Sequence, residues 1–485
     1  MSKINRRQFL RCIMAYGAAT AMPRLGFGAE SSGKKPNIIF ILVDDLGWAD
    51  VACYGSTLYE TPNIDRLAAE GMRFTDGYAA CPVCSPTRAS IMTGKYPARL
   101  HLTNFIAGRR ARKGSPILPA DFLLYMPTEE VTIAEVLKSA GYATCHIGKW
   151  HMGGAKQYLP QSQGFDVNIG GTGSGMPRSY FWPRWRGNPP IVGNFDGEYL
   201  PDRLSQEACT FIEAHKDQPF FIYLSHHAVH IPIEGKMGKI AEYQAKIQAT
   251  PPAKGEQNNP HYAAMVESVD DSVGRVMDTL RRLKIDDRTI VIFFSDNGGL
   301  CTPEGRHTPA TTNAPLRAGK GYLYEGGIRE PWIVKWPGVV KPGSVCRVPV
   351  VSVDFFPTVC DLARLDRKRV KTNGPIDGVS IVPLLRDPGA MLDREAIYWH
   401  YPHFSNQGGR PGGAIRVGDF KLIERYEFGT LELYNLKEDI GETTDLAERM
   451  PRKARQLHQM LRRWRKEVNA NMPRPNPDYK PKLNG

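Results

Sequence analysis

Asn37-Ile38-Ile39-Phe40-Ile41-Leu42-Val43 is apolar almost throughout and stops at two acidic residues, Asp44 and Asp45. An unbroken run of this kind predicts a strand buried on both faces of a parallel sheet, because a half-exposed strand would alternate. Thr289 to Phe294 repeats the pattern and stops at Ser295-Asp296-Asn297-Gly298. Phe220 to Leu224 runs into His226, His227 and His230, and Tyr142 to Ile147 runs into Lys149 and His151. Helical signatures lie between them. Thr61 can cap a helix opened by Pro62 and closed by Gly71, and Thr132 one closed by Gly141. Strands alternating with helices predict an α/β layer fold, whose ligands bind at the carboxyl ends of the strands. One apolar strand ending in Asp reads most simply as a turn. Four ends bearing Asp-Asp, Lys-x-His, a His cluster and Asp-Asn-Gly point to a site.

Asp44, Asp45, Asp296 and Asn297 offer hard oxygen ligands, and packed together without a cation they would repel. They predict one divalent ion, Ca²⁺ or alternatively Mg²⁺. Cys84 opens the segment Cys84-Ser85-Pro86-Thr87-Arg88, which reads as a loop entering a short helix with Gly94 as its stop. That places Cys84 at a helix N-terminus, where an anion is favoured. A redox pair Cys81-x-x-Cys84 and a buried structural thiol are the competing readings.

Cys84-Ser85-Pro86-Thr87-Arg88 resembles the Cys-x-Pro-x-Arg signature of the type I sulfatases, which are similar in fold to alkaline phosphatase. Pro36 to Gly47, Thr61 to Ala68, Gly148-Lys149-Trp150-His151, Ser295 to Gly298 and Gly319 through Gly327 resemble further blocks of that family, in the family's order from about residue 36 to 445. The resemblance implies a mixed, mostly parallel sheet sandwiched by helices over 34–385, with a smaller C-terminal antiparallel-sheet subdomain over 392–470. It implies hydrolysis of sulfate esters of carbohydrates, with galactose-type sugars preferred. It also implies that a separate maturation enzyme oxidises Cys84 to formylglycine, whose hydrate offers one hydroxyl to attack sulfur and another to release sulfate. Residue 84 would then join the metal ligands. Arg88 would hold the attacking hydroxyl, and Lys149 and Lys320 the sulfate oxygens. His230 would protonate the leaving alcohol and His151 would act as base, roles that could be exchanged, with Lys320 a further candidate acid. His400, His403 and the glycine-rich stretch from Gln407 to Gly413 could read the sugar. Phosphonate monoester or phosphodiester hydrolysis on the same superfold is the nearest rival, and an inactive sugar-binding homologue a further one.

The remaining segments carry weaker signals. Residues 170–200, dense in Gly, Pro and aromatics, read either as a surface loop or as a pocket wall, and 233–262 as an insertion able to act as a lid. From 452 to 468, Leu457, Met460, Leu461, Trp464 and Val468 share one helical face, which predicts docking on the C-terminal sheet. Residues 471–485 contain four prolines and read as a tail.

The chain has 485 residues, 41% hydrophobic and 23% charged, which excludes a disordered or fibrous protein and suggests two or three domains. The net charge of +13 raises the question of an acidic partner. Residues 1–29 carry five basic and no acidic residues, so without them the charge falls to about +8, and residues 452–468, with seven Lys/Arg and one Glu, hold +6 of that. Only about +2 is left for everything else, which argues against nucleic-acid binding. Asn5-Arg6-Arg7-Gln8-Phe9-Leu10, a weakly apolar stretch and Gly26, Gly28 and Ala29 have the layout of a twin-arginine leader. This predicts a bacterial protein carried by the twin-arginine machinery to the periplasm or beyond. No apolar run reaches the roughly 18 residues that span a bilayer, so no stable membrane anchor is expected. Of nine cysteines, Cys12 leaves with the leader and Cys84 is modified; the seven others are an odd number, so at least one is expected to be unpaired.

Overall fold

The computed structural model describes residues 35–480 apart from 110, 111 and 113, and the segment read as a twin-arginine leader lies outside the described residues. The main sheet holds eight strands: β1 (Asn37–Val43), β2 (Met72–Phe74), β3 (Ala143–Gly148), β4 (Val167–Ile169), β5 (Phe220–Ser225), β6 (Thr289–Ser295), β7 (Trp332–Lys335) and β8 (Ser344–Cys346). Their spatial order is β8-β2-β7-β6-β1-β5-β3-β4. Every pairing is parallel except those of β7, which runs antiparallel to both its neighbours. The sheet is thus mixed and mostly parallel, as expected.

β1 explains why its sequence is apolar without alternation. Ile39, Ile41 and Val43 enter one core, and Ile38, Phe40 and Leu42 enter the core on the opposite face. The first core is covered by α1 (Pro62–Glu70), which comes before α2 (Cys84–Thr93) and α3 (Ile133–Ser139), and by α4 (Leu200–Ala214), α5 (Met237–Ala249) and α6 (Pro260–Arg282). The second is covered by α2, α3 and α7 (Phe355–Leu362). Helices on both faces keep the central strands dry and leave their ends as the place where polar groups can gather.

Thr132 caps α3 as read from sequence: its hydroxyl accepts from Glu135 N at 3.1 Å, and the Glu135 carboxylate accepts from Thr132 N at 2.7 Å. Thr61 does not cap α1. Asp270, reaching over from α6, accepts from Asn63 N and Ile64 N at 3.0 and 2.7 Å, and a carboxylate outcompetes a hydroxyl at a helix N-terminus. Burial pushes the Asp270 carboxyl up to about 6 in spite of these donors. A carboxyl whose folded pKa exceeds its unfolded value near 3.9 contributes stability below about pH 4 that is lost as pH rises through 6, on the order of 3 kcal/mol. Asp270→Asn is therefore expected to lower the melting temperature at pH 4 and to flatten the wild type's decline between pH 4 and 7; an unchanged slope in thermal melts would refute the assignment.

The segment read as a lid is a packed helix. Ile240 and Tyr243 of α5 are buried against the core under α6, and none of residues 233–262 lines the cavity described below. Beyond the main sheet, β9 (Ile397–Tyr401), β10 (Gly412–Val417), β11 (Phe420–Arg425) and β12 (Thr430–Asn435) form an antiparallel sheet in that order. Across it lies α8 (Pro451–Glu467), with Leu457, Leu461 and Trp464 buried and Arg452, Arg455, Arg462, Arg463 and Lys466 exposed. The basic run is thus the solvent face of a docked helix. The proline-rich end turns back on the body, where Arg474–Pro475 pair with Ile117–Leu118. All eight described cysteines are free thiols.

Candidate active site

β6, β1, β5 and β3 are neighbours running in one direction, so the residues just past their carboxyl ends converge. Asp44 and Asp45 follow β1, Asp296 and Asn297 follow β6, the His226–His230 segment follows β5, and Lys149 and His151 follow β3. Carboxylate oxygens of Asp44, Asp45 and Asp296 come within 4.8 Å of one another. Each is met by a cation: Lys149 Nζ lies 2.6 Å from Asp44, Lys320 Nζ 2.7 Å from Asp45, and Arg88 Nη2 2.7 Å from Asp296. Arg88 is fully buried and also donates to the Lys149 carbonyl and to Ser225 Oγ.

Three carboxylates and three cations balance, yet two oxygens do not. Asp44 Oδ1 and Asn297 Oδ1 are buried and accept no hydrogen bond among the described residues. Burial pushes the Asp44 carboxyl well above the usual range, with Asp296 and Asp45 adding to what Lys149 and Arg88 offset. Burial acts on Asp45 too, but Lys320 and His230 outweigh it and hold that carboxyl at about 2. Crowded carboxylates and an amide oxygen aimed inward, two oxygens unsatisfied, are a donor set that fits a hard divalent cation.

Asp50 holds the loop that carries the first two of these acids. Its carboxylate accepts from Gly47 N, Tyr262 Oη, Thr311 Oγ1 and Gln257 Nε2, all within 2.8 Å. No motif read from the sequence singled it out, because its side-chain partners come from two distant segments, Gln257–Tyr262 and Thr311.

α2 begins at Cys84 and stops at Gly94, whose φ of +70° is the left-handed turn that glycine provides. Every residue of α2 is buried, and Cys84 is 3% exposed. Its Sγ lies 3.2 Å from His151 Nδ1, while His151 Nε2 lies 2.5 Å from the Ile106 carbonyl. A carbonyl only accepts, so Nε2 carries the hydrogen and Nδ1 turns its lone pair to residue 84. Gly175 lets the chain cross this ring, since a Cβ there would sit 2.5 Å from His151 Cε1. Burial, then Lys149, keeps His151 neutral. Burial and Lys320 likewise draw His230 down to about 3, against the pull of Asp45. Burial also raises the Cys84 thiol, which leaves it a poor nucleophile as cysteine. No disulfide joins it to Cys81, whose thiol is buried against the Thr103 carbonyl.

A cavity of about 290 Å³ opens onto Cys84, His151, His230 and Lys320. Its outer walls are Ile106 with Phe105, the Ser174–Met176 segment, Glu304, and Asn406 with Gln407. Ser174–Met176 lies in the 170–200 stretch read as a possible wall and Gln407 opens the glycine-rich stretch read as facing the sugar, whereas Phe105, Ile106, Glu304 and Asn406 carried no signal in the sequence. The aromatic run Phe181 to Arg186 contributes no wall, and Trp185 packs inside with its Nε1 on the Ile191 carbonyl. His400 and His403 correct an expectation. His400 bonds Tyr426 Oη and the Asn471 carbonyl, His403 bonds Thr103 Oγ1, and both are buried outside the cavity lining. Both ring nitrogens of His400 and Nε2 of His403 are engaged within the fold, and the C-terminal segment reaches the cavity through Asn406 and Gln407 instead.

Known proteins match this chain in sequence and fold. The family model "Sulfatase" matches residues 36–365, and "N-sulphoglucosamine sulphohydrolase, C-terminal" matches 318–468. A sulfatase of Formosa agariphila is 33% identical over 91% of this chain and 90% of its own. The human N-acetylgalactosamine-6-sulfatase is 34% identical over 77% of this chain and 70% of its own. The crystal structure of Ps i-CgsB in complex with k-i-k-neocarrahexaose superposes with a TM-score of 0.73 at 31% identity, covering 89% of this chain and 93% of that one. The chain belongs to the sulfatase family and is a sulfuric ester hydrolase.

Proposed function

We propose that this sulfatase acts on sulfated carbohydrates of galactose type, with a formylglycine made from Cys84 by a separate maturation enzyme and a divalent cation, Ca²⁺ or Mg²⁺, held by Asp44, Asp45, Asp296, Asn297 and residue 84. The observation that carries the reading is residue 84 itself: it starts a buried helix, faces the cavity and meets the free lone pair of His151 at 3.2 Å. The carbohydrate class is supported by relatives, one named for N-acetylgalactosamine 6-sulfate and one crystallised with a neocarrahexaose. Export by the twin-arginine machinery is part of the same proposal; no helix among the described residues is long and apolar enough to cross a membrane.

A formylglycine hydrate supplies a hydroxyl nucleophile and a second hydroxyl whose proton loss frees sulfate, and a divalent cation supplies positive charge beside it. This chain's own groups do the rest. With the carboxylates of Asp44, Asp45 and Asp296 balanced by Arg88, Lys149 and Lys320, a divalent cation leaves the site at +2, so a sulfate monoester anion is attracted by a few fixed charges. Lys320 in the cavity wall, and Lys149 buried on Asp44, would supply positive charge to the sulfate oxygens, while Arg88, expected to hold the attacking hydroxyl, is enclosed outside the cavity lining and holds Asp296 instead. His151 Nδ1 accepts a proton at residue 84. His230 and Lys320 line the cavity where the leaving oxygen must exit; Lys320 carries a proton in the resting site, and a bound anion raises His230 toward doing so.

Side-by-side kinetics on nitrophenyl sulfate and a nitrophenyl phosphodiester test the reaction class. The expected kcat/KM on the sulfate is higher by more than ~100-fold, about 2.7 kcal/mol of transition-state preference. A preference for the diester would transfer the protein to the phosphonate and phosphodiester branch of the fold.

A further inference from the structure

The sulfate-binding end of the cavity is basic, but one wall is not. Among the described residues that line it, Glu304 is the only carboxylate. Its main chain is anchored by an N–H donated to Thr308 Oγ1 at 2.7 Å. One side-chain oxygen, Oε2, accepts from Gln407 Nε2 at 2.5 Å, and no donor among the described residues reaches the other. Gln407 cannot turn away. Its Oε1 accepts from Ser405 Oγ, and its backbone carbonyl accepts from Tyr322 Oη at 2.7 Å, two residues past Lys320. Glu304 is thus a fixed acceptor with one open oxygen at the edge of a site built to attract anions.

A cavity of about 290 Å³ is at the small end of ligand pockets, about enough for one sugar ring and its sulfate. With Lys320, His230 and His151 taken up by the ester, Glu304 and Gln407 are among the polar lining left to meet the ring. We infer that Glu304, oriented by Gln407, accepts hydrogen bonds from hydroxyl groups of the sugar that carries the scissile sulfate, and repels a second sulfate at that position. This deepens the carbohydrate reading above and rests on it. A carboxylate that accepts from a hydroxyl discriminates strongly, because the same oxygen facing an anion or a bare ring is left unpaired.

The test is Glu304→Gln, which keeps size and removes charge on a partly exposed loop. Its kcat/KM is measured against wild type on a galactose monosulfate and on nitrophenyl sulfate, which has no hydroxyl for Glu304 to accept from. The sugar ester is expected to lose about ten- to a hundredfold more than the aryl ester, chiefly through KM. Equal changes on the two esters would overturn the inference and leave the proposed function standing. A wild-type enzyme that turns over nitrophenyl sulfate but no sugar ester would overturn the carbohydrate reading and this inference with it.

Discussion

Cys84→Ala protein is expected to fold normally and to hydrolyse no sulfate ester, with a loss of at least about 10⁴-fold in kcat. Alanine is a good helix former and leaves only a small space where Sγ stood, so α2 and its buried neighbours should persist, and circular dichroism and the melting temperature would show it. What disappears is the atom on which the reaction is proposed to turn. If Cys84 were a structural thiol, the same substitution would cost stability and spare turnover. If it were half of a redox pair, Cys81→Ala would be equally damaging, yet Cys81 is turned to the Thr103 carbonyl. Mass spectrometry of the tryptic peptide containing Cys84 provides the second readout: full-mass cysteine throughout an active preparation would sink the formylglycine mechanism.

Chelation of divalent cations is expected to abolish activity and to lower the melting temperature, and Ca²⁺ to restore both. The reasoning is electrostatic. Without a cation, Asp44 is so disfavoured as an anion that its pKa rises, and two buried oxygens lack partners. A cation that binds only the folded chain stabilises it by about 4 kcal/mol when present at ~1,000 times its Kd. Activity and melting temperature unaffected by exhaustive chelation would show that the four side chains are satisfied by Arg88, Lys149 and Lys320 alone. Asp296→Asn separates binding from catalysis: a weaker cation dependence of the melting temperature is expected in this variant even where no turnover can be measured.

The sequence was most legible where burial is two-sided. β1, β3, β5 and β6 could be read because helices cover both faces and leave no polar alternation, and their ends were informative because charged groups there have few other places to go. Edge strands such as β4 and β8 are three residues long and carry no such signal. Side chains that act across long separations were illegible for a physical reason: Asp270 caps a helix about 200 residues away, and Glu304 meets Gln407 of the β9–β10 loop across 103 residues of chain. His403 shows the converse failure. A histidine beside a glycine-rich loop looks the same in sequence whether it faces a pocket or a threonine hydroxyl, and here Thr103 takes it.

The burial of α2 from its first residue to its last turns maturation into a matter of timing. A macromolecular enzyme cannot grip a segment whose every residue is enclosed, so the oxidation proposed for Cys84 competes with folding in a race run once per molecule. A chain that closes first is locked as the thiol form, well folded and inert. The specific activity of a preparation then reports the ratio of two rates, modification over folding, so conditions that slow folding should raise the yield of active enzyme without changing the enzyme itself.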